Sequence, residues 1–144
     1  MLDRIEKKII SLEETLKFID SIKGDCDERF LKDKMYQGAL LHNLYLVADI
    51  SISLAEMILK YKKIPKSESY FESIDLLGDI GVIPADFAYE FAKIASFRNF
   101  LAHHYEKIDY YQICKKTILK LDEVREYINY IRNYFGEANA SPKD

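Results

Sequence analysis

Apolar residues in this chain return at every third or fourth position and almost nowhere at every second. Leu2, Ile5, Ile9, Leu12, Leu16, Ile19 and Ile22 recur between charged neighbours, the period of one buried helix face rather than of a strand. The pattern returns between Phe30 and Tyr61, Tyr70 and Ile80, Phe87 and Ala95, and Ile113 and Phe135. Five glycines and three prolines in 144 residues leave little to punctuate a many-turned sheet. No strand-like alternation, repeat period or low-complexity tract competes with this spacing. It predicts an all-α, up-and-down helical bundle of four long helices plus a short helix.

Local signals set the expected boundaries. The first helix should end near Gly24, and an acidic turn through Asp25 and Asp27 should lead into the second, Phe30 to about Tyr61, which Gly38 can bend without breaking. The polar stretch from Lys60 to Ser69 closes that helix, and Ser67 or Ser69 starts a third over Tyr70 to Ile80. Gly81 stands where a glycine cap belongs, and Pro84 suits the first turn of a fourth helix running on to Arg98. Asp109 is the expected N-cap of a fifth helix stopped by Gly136. The length suits one domain, residues 1–136, followed by a flexible tail, 137–144.

Composition narrows the function classes. A net charge of −3 and a pI near 5.7 argue against a broad basic face coating nucleic acid, but leave room for a local phosphate site. The amphipathic, charged start from Met1 to Lys8 lacks the features of an export signal, so a soluble, cytoplasmic protein is expected. Ala39 to Leu59 approaches spanning length but carries His42, Asn43, Asp49 and Glu56, which favours a buried bundle helix over a membrane span. His42 is expected to be half-buried. Cys26 and Cys114 have no metal-ligand spacing and read as two ordinary cytosolic thiols rather than a bonded pair.

Acid–base chemistry concentrates in Arg98-Asn99-Phe100-Leu101-Ala102-His103-His104-Tyr105. Arg98 offers a planar fork that matches phosphate oxygens. An imidazole such as that of His103 moves protons near neutral pH. Asn99 and Tyr105 can orient a substrate or the imidazole. In a continuous helix Arg98 and His103 would stand about 140° apart, whereas Arg98 and Tyr105 would share a face. Either the helix ends around Ala102 to His104 and swings His103 back, or the site is assembled from two copies across a dimer axis. His103, His104, Glu106 and Asp109 make a poor metal set, because adjacent histidines point apart. No metal or other cofactor is expected.

Arg98-Asn99, three residues, His103, one residue and Tyr105 resembles the signature of HEPN-domain ribonucleases, in particular the HepT-type toxins. The five-helix pattern, the Gly81-Val82-Ile83 turn and Ile108-Asp109 fit the same family. The resemblance implies a metal-independent RNA endonuclease, the toxin of a type VII toxin–antitoxin module, with a homodimeric cleft built from paired Arg98 and His103. It also implies a minimal nucleotidyltransferase antitoxin as partner, which transfers AMP to Tyr105 and so neutralises the toxin. Nothing in the family pattern gives His104 a role. The alternative is a non-catalytic HEPN-like dimeric module that binds a nucleotide or a nucleotidyltransferase.

Overall fold

In a computed structural model the described residues are 2–103 and 107–140, with side chains described as far as Gly136. The architecture is the expected all-α bundle. Helix α1 spans Leu2–Ile22 and buries Ile5, Ile9, Leu12, Leu16 and Ile19, the stripe its periodicity predicts. Each such side chain contributes roughly 1.5–3 kcal/mol by leaving water, so this one face supplies much of the force holding α1 to the bundle. A 3₁₀ turn, Lys23–Asp25, and a short helix α2, Cys26–Arg29, follow.

The second long helix, α3, spans Lys34–Tyr61. It begins later than the apolar pattern alone suggests because Asp33 caps it, its carboxylate accepting from the backbone N–H groups of Met35 and Tyr36 at 3.0 and 3.1 Å. Phe30 stays outside the helix but fully buried. By length and composition α3 could cross a bilayer, yet half of its most apolar window is buried inside the protein. It packs against α1, α4 and α6 as the central helix of the bundle.

Helix α4, Tyr70–Asp79, opens on Ser69, whose hydroxyl accepts from the Glu72 N–H at 3.0 Å. Gly81 then takes φ +81°, the left-handed conformation that glycine reaches without strain. The single fourth helix expected from the sequence is two: α5, Ala85–Phe91, and α6, Ile94–His103. At the join, Lys93, Ala95 and Ser96 donate to carbonyls three residues back at 3.0–3.2 Å, so the chain tightens and changes direction. Ala92 at this point is fully buried, and no glycine or proline marks the break.

The last long element starts as expected at Asp109, which accepts from the Tyr111 N–H at 3.0 Å. It opens with π-helical Tyr111–Thr117 and a 3₁₀ turn, Ile118–Lys120, before α7, Leu121–Ala140. Thr117 accounts for the wide turn: its hydroxyl donates to the Gln112 carbonyl, five residues back, at 3.0 Å. α7 passes through Gly136 instead of stopping there.

Two further expectations are corrected. Cys26 and Cys114 are not separate thiols but a disulfide, with Cα atoms 5.7 Å apart across 88 residues of sequence. The α2 turn and the start of the last helix meet there, and Tyr110 and Lys115 both reach the Asp27 carboxylate, at 2.7 and 2.9 Å. His42 is exposed on α3 rather than half-buried, because it falls on the face opposite Leu40, Leu41 and Leu44.

Candidate functional site

Arg98 leaves the middle of α6 and turns inward. Its Nε donates to Asp49 Oδ1 on α3 at 3.2 Å, and its Nη1 donates to the neighbouring Asn99 Oδ1 at 3.3 Å. The guanidinium lies over two rings, Tyr45 of α3 at 5.2 Å and Tyr70 of α4 at 5.1 Å. Three helices thus fix one charge, and only 18% of the Arg98 side chain stays exposed. Burial opposes the charge, but the Asp49 hydrogen bond and the two phenols outweigh it and raise the guanidinium pKa further. The group is cationic at every physiological pH and is pre-oriented, so little side-chain entropy remains to be lost when an anion arrives.

Asp49 itself is 43% exposed, with its outer edge in solvent. It and Tyr45 are four residues apart on α3, so one helix face presents both to Arg98. Residue spacing alone does not connect Asp49, Tyr45 or Tyr70 with Arg98. The one available signal was the i, i+4 pairing of a phenol and a carboxylate within an otherwise apolar helix.

His103 is the last described residue of α6 and is exposed, as is Asn99. Because α6 stays helical through His103, that side chain and Arg98 point about 140° apart. The helix does not swing His103 back toward Arg98 within one protomer. α6 runs along α3 toward its N-terminal end: Arg98 meets Asp49, while Tyr110, beyond α6, comes within 6.4 Å of the Phe30 ring. Tyr105, with His104 and Glu106, lies outside the described residues.

A cavity of about 720 Å³ lies elsewhere, between α3, α5, α6 and the start of the last helix. Leu44, Val47, Phe91, Phe97 and Leu121 give it an apolar floor, and neither Arg98 nor His103 lines it. Four carboxylates against two lysines surround that floor, a balance that repels a phosphodiester. Arg98 sits instead where α6 meets α3 and α4.

The sequence model of a family described as ribonuclease HepT-like matches residues 12–131. Solved structures share the architecture. A mutant of the toxin–antitoxin complex MntA-HpeT matches with a TM-score of 0.79 at 22% identity, over 90% of this chain and 98% of that one. A tri-AMPylated HEPN toxin from Shewanella oneidensis, solved with MNT antitoxin, matches with a TM-score of 0.77 at 21% identity, over 92% and 99%. YutE from Bacillus subtilis, described as a cytosolic protein of unknown function, matches with a TM-score of 0.79 at 19% identity, over 97% and 93%. At these identities the likeness shows the fold alone. No curated protein matches in sequence. The family match covers most of the chain and includes Arg98 and His103, and the chain belongs to the HepT-like ribonuclease family.

Proposed function

We propose that this protein is the toxin ribonuclease of a type VII toxin–antitoxin pair, acting in the cytoplasm as a homodimer of one HEPN domain, residues 1–136. The observation that carries the reading is the Arg98 guanidinium, pre-oriented by Asp49, Tyr45 and Tyr70 on the same helix as an exposed His103. One protomer keeps these two groups on different faces. Two α6 helices meeting across a twofold axis bring two guanidinium and two imidazole groups to one cleft.

In that cleft one imidazole takes the proton of a ribose 2′-hydroxyl, and the freed oxygen attacks the adjacent phosphorus. The 5′-oxygen leaves with a proton from the second imidazole, and a 2′,3′-cyclic phosphate remains on the RNA. Arg98 binds the non-bridging oxygens, whose charge grows in the transition state. Asn99 orients the guanidinium and the substrate. Cleavage on this reading is metal-independent, so it survives a chelator. Arg98→Ala and His103→Ala each abolish cleavage by the isolated dimer while its size and helical content are retained. If both variants cleave RNA as fast as the parent, the reading is wrong. Binding without turnover by the parent would point instead to a non-catalytic module.

The partner on this reading is a minimal nucleotidyltransferase antitoxin. It moves AMP from ATP to the Tyr105 phenol oxygen, with release of pyrophosphate. The Shewanella oneidensis toxin, AMPylated and in complex with MNT antitoxin, supports this regulation. The added phosphodiester brings negative charge and bulk close to the motif, where it competes with substrate for Arg98. Intact mass after incubation with partner and ATP tests it, and addition anywhere other than Tyr105 removes that role from the phenol.

A further inference from the structure

A second concentration of cations lies outside the motif. Arg4, Lys7, Lys8 and Ser11 of α1 and Met57 and Lys60 of α3 wall a cleft of about 440 Å³. No carboxylate lines it. Among the described residues, none of its four cations has an acidic partner within ion-pair distance. In a chain of net charge −3 such an accumulation is unexpected.

Helix pairing on the other side of α1 explains how it arises. Glu6, Glu13 and Asp20 recur every seven residues and form one stripe of α1, and Arg125 and Arg132 form the matching stripe of α7. Arg132 donates to Glu6 at 2.6 Å and to both oxygens of Glu13, at 2.5 and 3.1 Å, and Arg125 reaches Asp20 at 2.5 Å. Three acids of α1 are thereby drawn to α7 and neutralised there. The cations at positions 4, 7 and 8 are left facing α3, which adds Lys60 rather than a countercharge.

We propose that this cleft is a second phosphate-binding site, which holds the backbone of the RNA substrate away from the scissile bond. The choice of RNA rests on the ribonuclease reading above; the presence of an anion site does not. Arg4 supplies a planar fork, the lysines supply point charges, and Ser11 adds a hydroxyl donor for phosphate oxygens. Lys60 stands eleven residues after Asp49 on α3, three full turns on and within about 20° of the same face. The two sites are therefore aligned along one helix about 16 Å apart. A stacked strand at ~3.4 Å per nucleotide bridges that with about five nucleotides. Glu56 lies on the stripe between them, so the strand passes one carboxylate on the way.

The test replaces Arg4, Lys7, Lys8 and Lys60 together by alanine and compares the result with the parent and with a Lys32→Ala/Lys34→Ala control, two exposed lysines outside the cleft. Single-stranded RNA binding is measured in a His103→Ala background across a salt series. For single strands each lost phosphate contact removes about 0.7 from the slope of log K against log salt, so the fourfold variant should lose about 2 to 3. With His103 present, KM for a long RNA should rise at least about tenfold at unchanged kcat. An oligonucleotide too short to reach the cleft should be cut equally well by both. An unchanged slope, an equal loss in the lysine control, or an equal loss on the short substrate overturns the site. So does a fourfold variant that keeps RNA binding but no longer binds the nucleotidyltransferase, because the cleft then serves a protein. A parent that binds RNA with the expected slope difference but never cleaves it defeats the nuclease reading and leaves the cleft standing.

Discussion

Reduction of the Cys26–Cys114 bond should cost the protein a large share of its stability, by an amount that follows from the fold. The bond joins residues 88 apart in sequence, so the oxidised unfolded chain is closed into a loop of that size. Loop-closure entropy at this length is about 15 cal/mol/K, or about 4 to 5 kcal/mol at 25 °C, and that advantage disappears on reduction. In a domain near this size each kcal/mol moves the melting midpoint by about 2–4 °C. The reduced protein should therefore melt about 8 to 20 °C below the oxidised one. Circular dichroism melts with and without reductant measure the difference, and thiol titration in denaturant should count none before reduction and two after. The Cys26→Ala/Cys114→Ala variant should melt close to the reduced parent and ignore the reductant. A chain that still titrates two thiols after exposure to oxidised glutathione, or whose midpoint falls by less than about 3 °C on reduction, refutes the reasoning. In a reducing cytoplasm the thiol form is favoured, so this part of the stability depends on compartment.

Other perturbations have calculable directions. Asp49→Ala removes the Nε acceptor of Arg98; a guanidinium displaced by about 1 Å should cut RNA cleavage about ten- to a hundredfold with little change in melting, and Asp49→Asn should recover part of it. Equal activity in Asp49→Ala would show that Arg98 needs no such support. A Cβ on Gly78 would stand 2.7 Å from Ala88 Cβ and 3.0 Å from Ala85 Cα, so Gly78→Ala should force α4 and α5 apart and destabilise the fold by about 1–3 kcal/mol in urea titration, despite the better helix propensity of alanine. Three carboxyls sit below the ordinary aspartate range: Asp27 through hydrogen bonds from Tyr110 and Lys115, Asp33 mainly through Arg29, and Asp20 because Lys23 and Arg125 together outweigh its burial. A depressed folded pKa stabilises the fold above the unfolded value, so urea midpoints should hold steady above about pH 4 and fall as these groups protonate below it. A midpoint that rises on acidification would contradict those pairings.

Much of the fold is legible in residue spacing. The buried stripe of α1 appears residue for residue at Ile5, Ile9, Leu12, Leu16 and Ile19, because a helix face against a core admits only the 3.6-residue period. Ser69, Gly81 and Asp109 also act locally, through a hydroxyl, a left-handed glycine and a carboxylate that each satisfy nearby backbone. The break between α5 and α6 was not legible. It falls beside a fully buried Ala92, and alanine is among the strongest helix formers, so no local signal marks it. The π-turn at Thr117 likewise depends on one side-chain hydrogen bond inside an otherwise regular apolar pattern.

By itself, then, the sequence determined which residue types could do chemistry and in what order: an arginine, a histidine five residues on and a tyrosine two further. It also put the arginine on a helix after Pro84, but left open whether that helix runs through His103. Tertiary structure alone decided that Arg98 is held by Asp49, Tyr45 and Tyr70, that Cys26 meets Cys114, and that the acids of α1 turn to α7 while its cations gather beside Lys60. The physical reason is range. Helix period and capping act over a few residues of one segment, whereas ion pairs, ring contacts and a disulfide depend on which faces of distant helices are brought together, and that is settled only when the core packs.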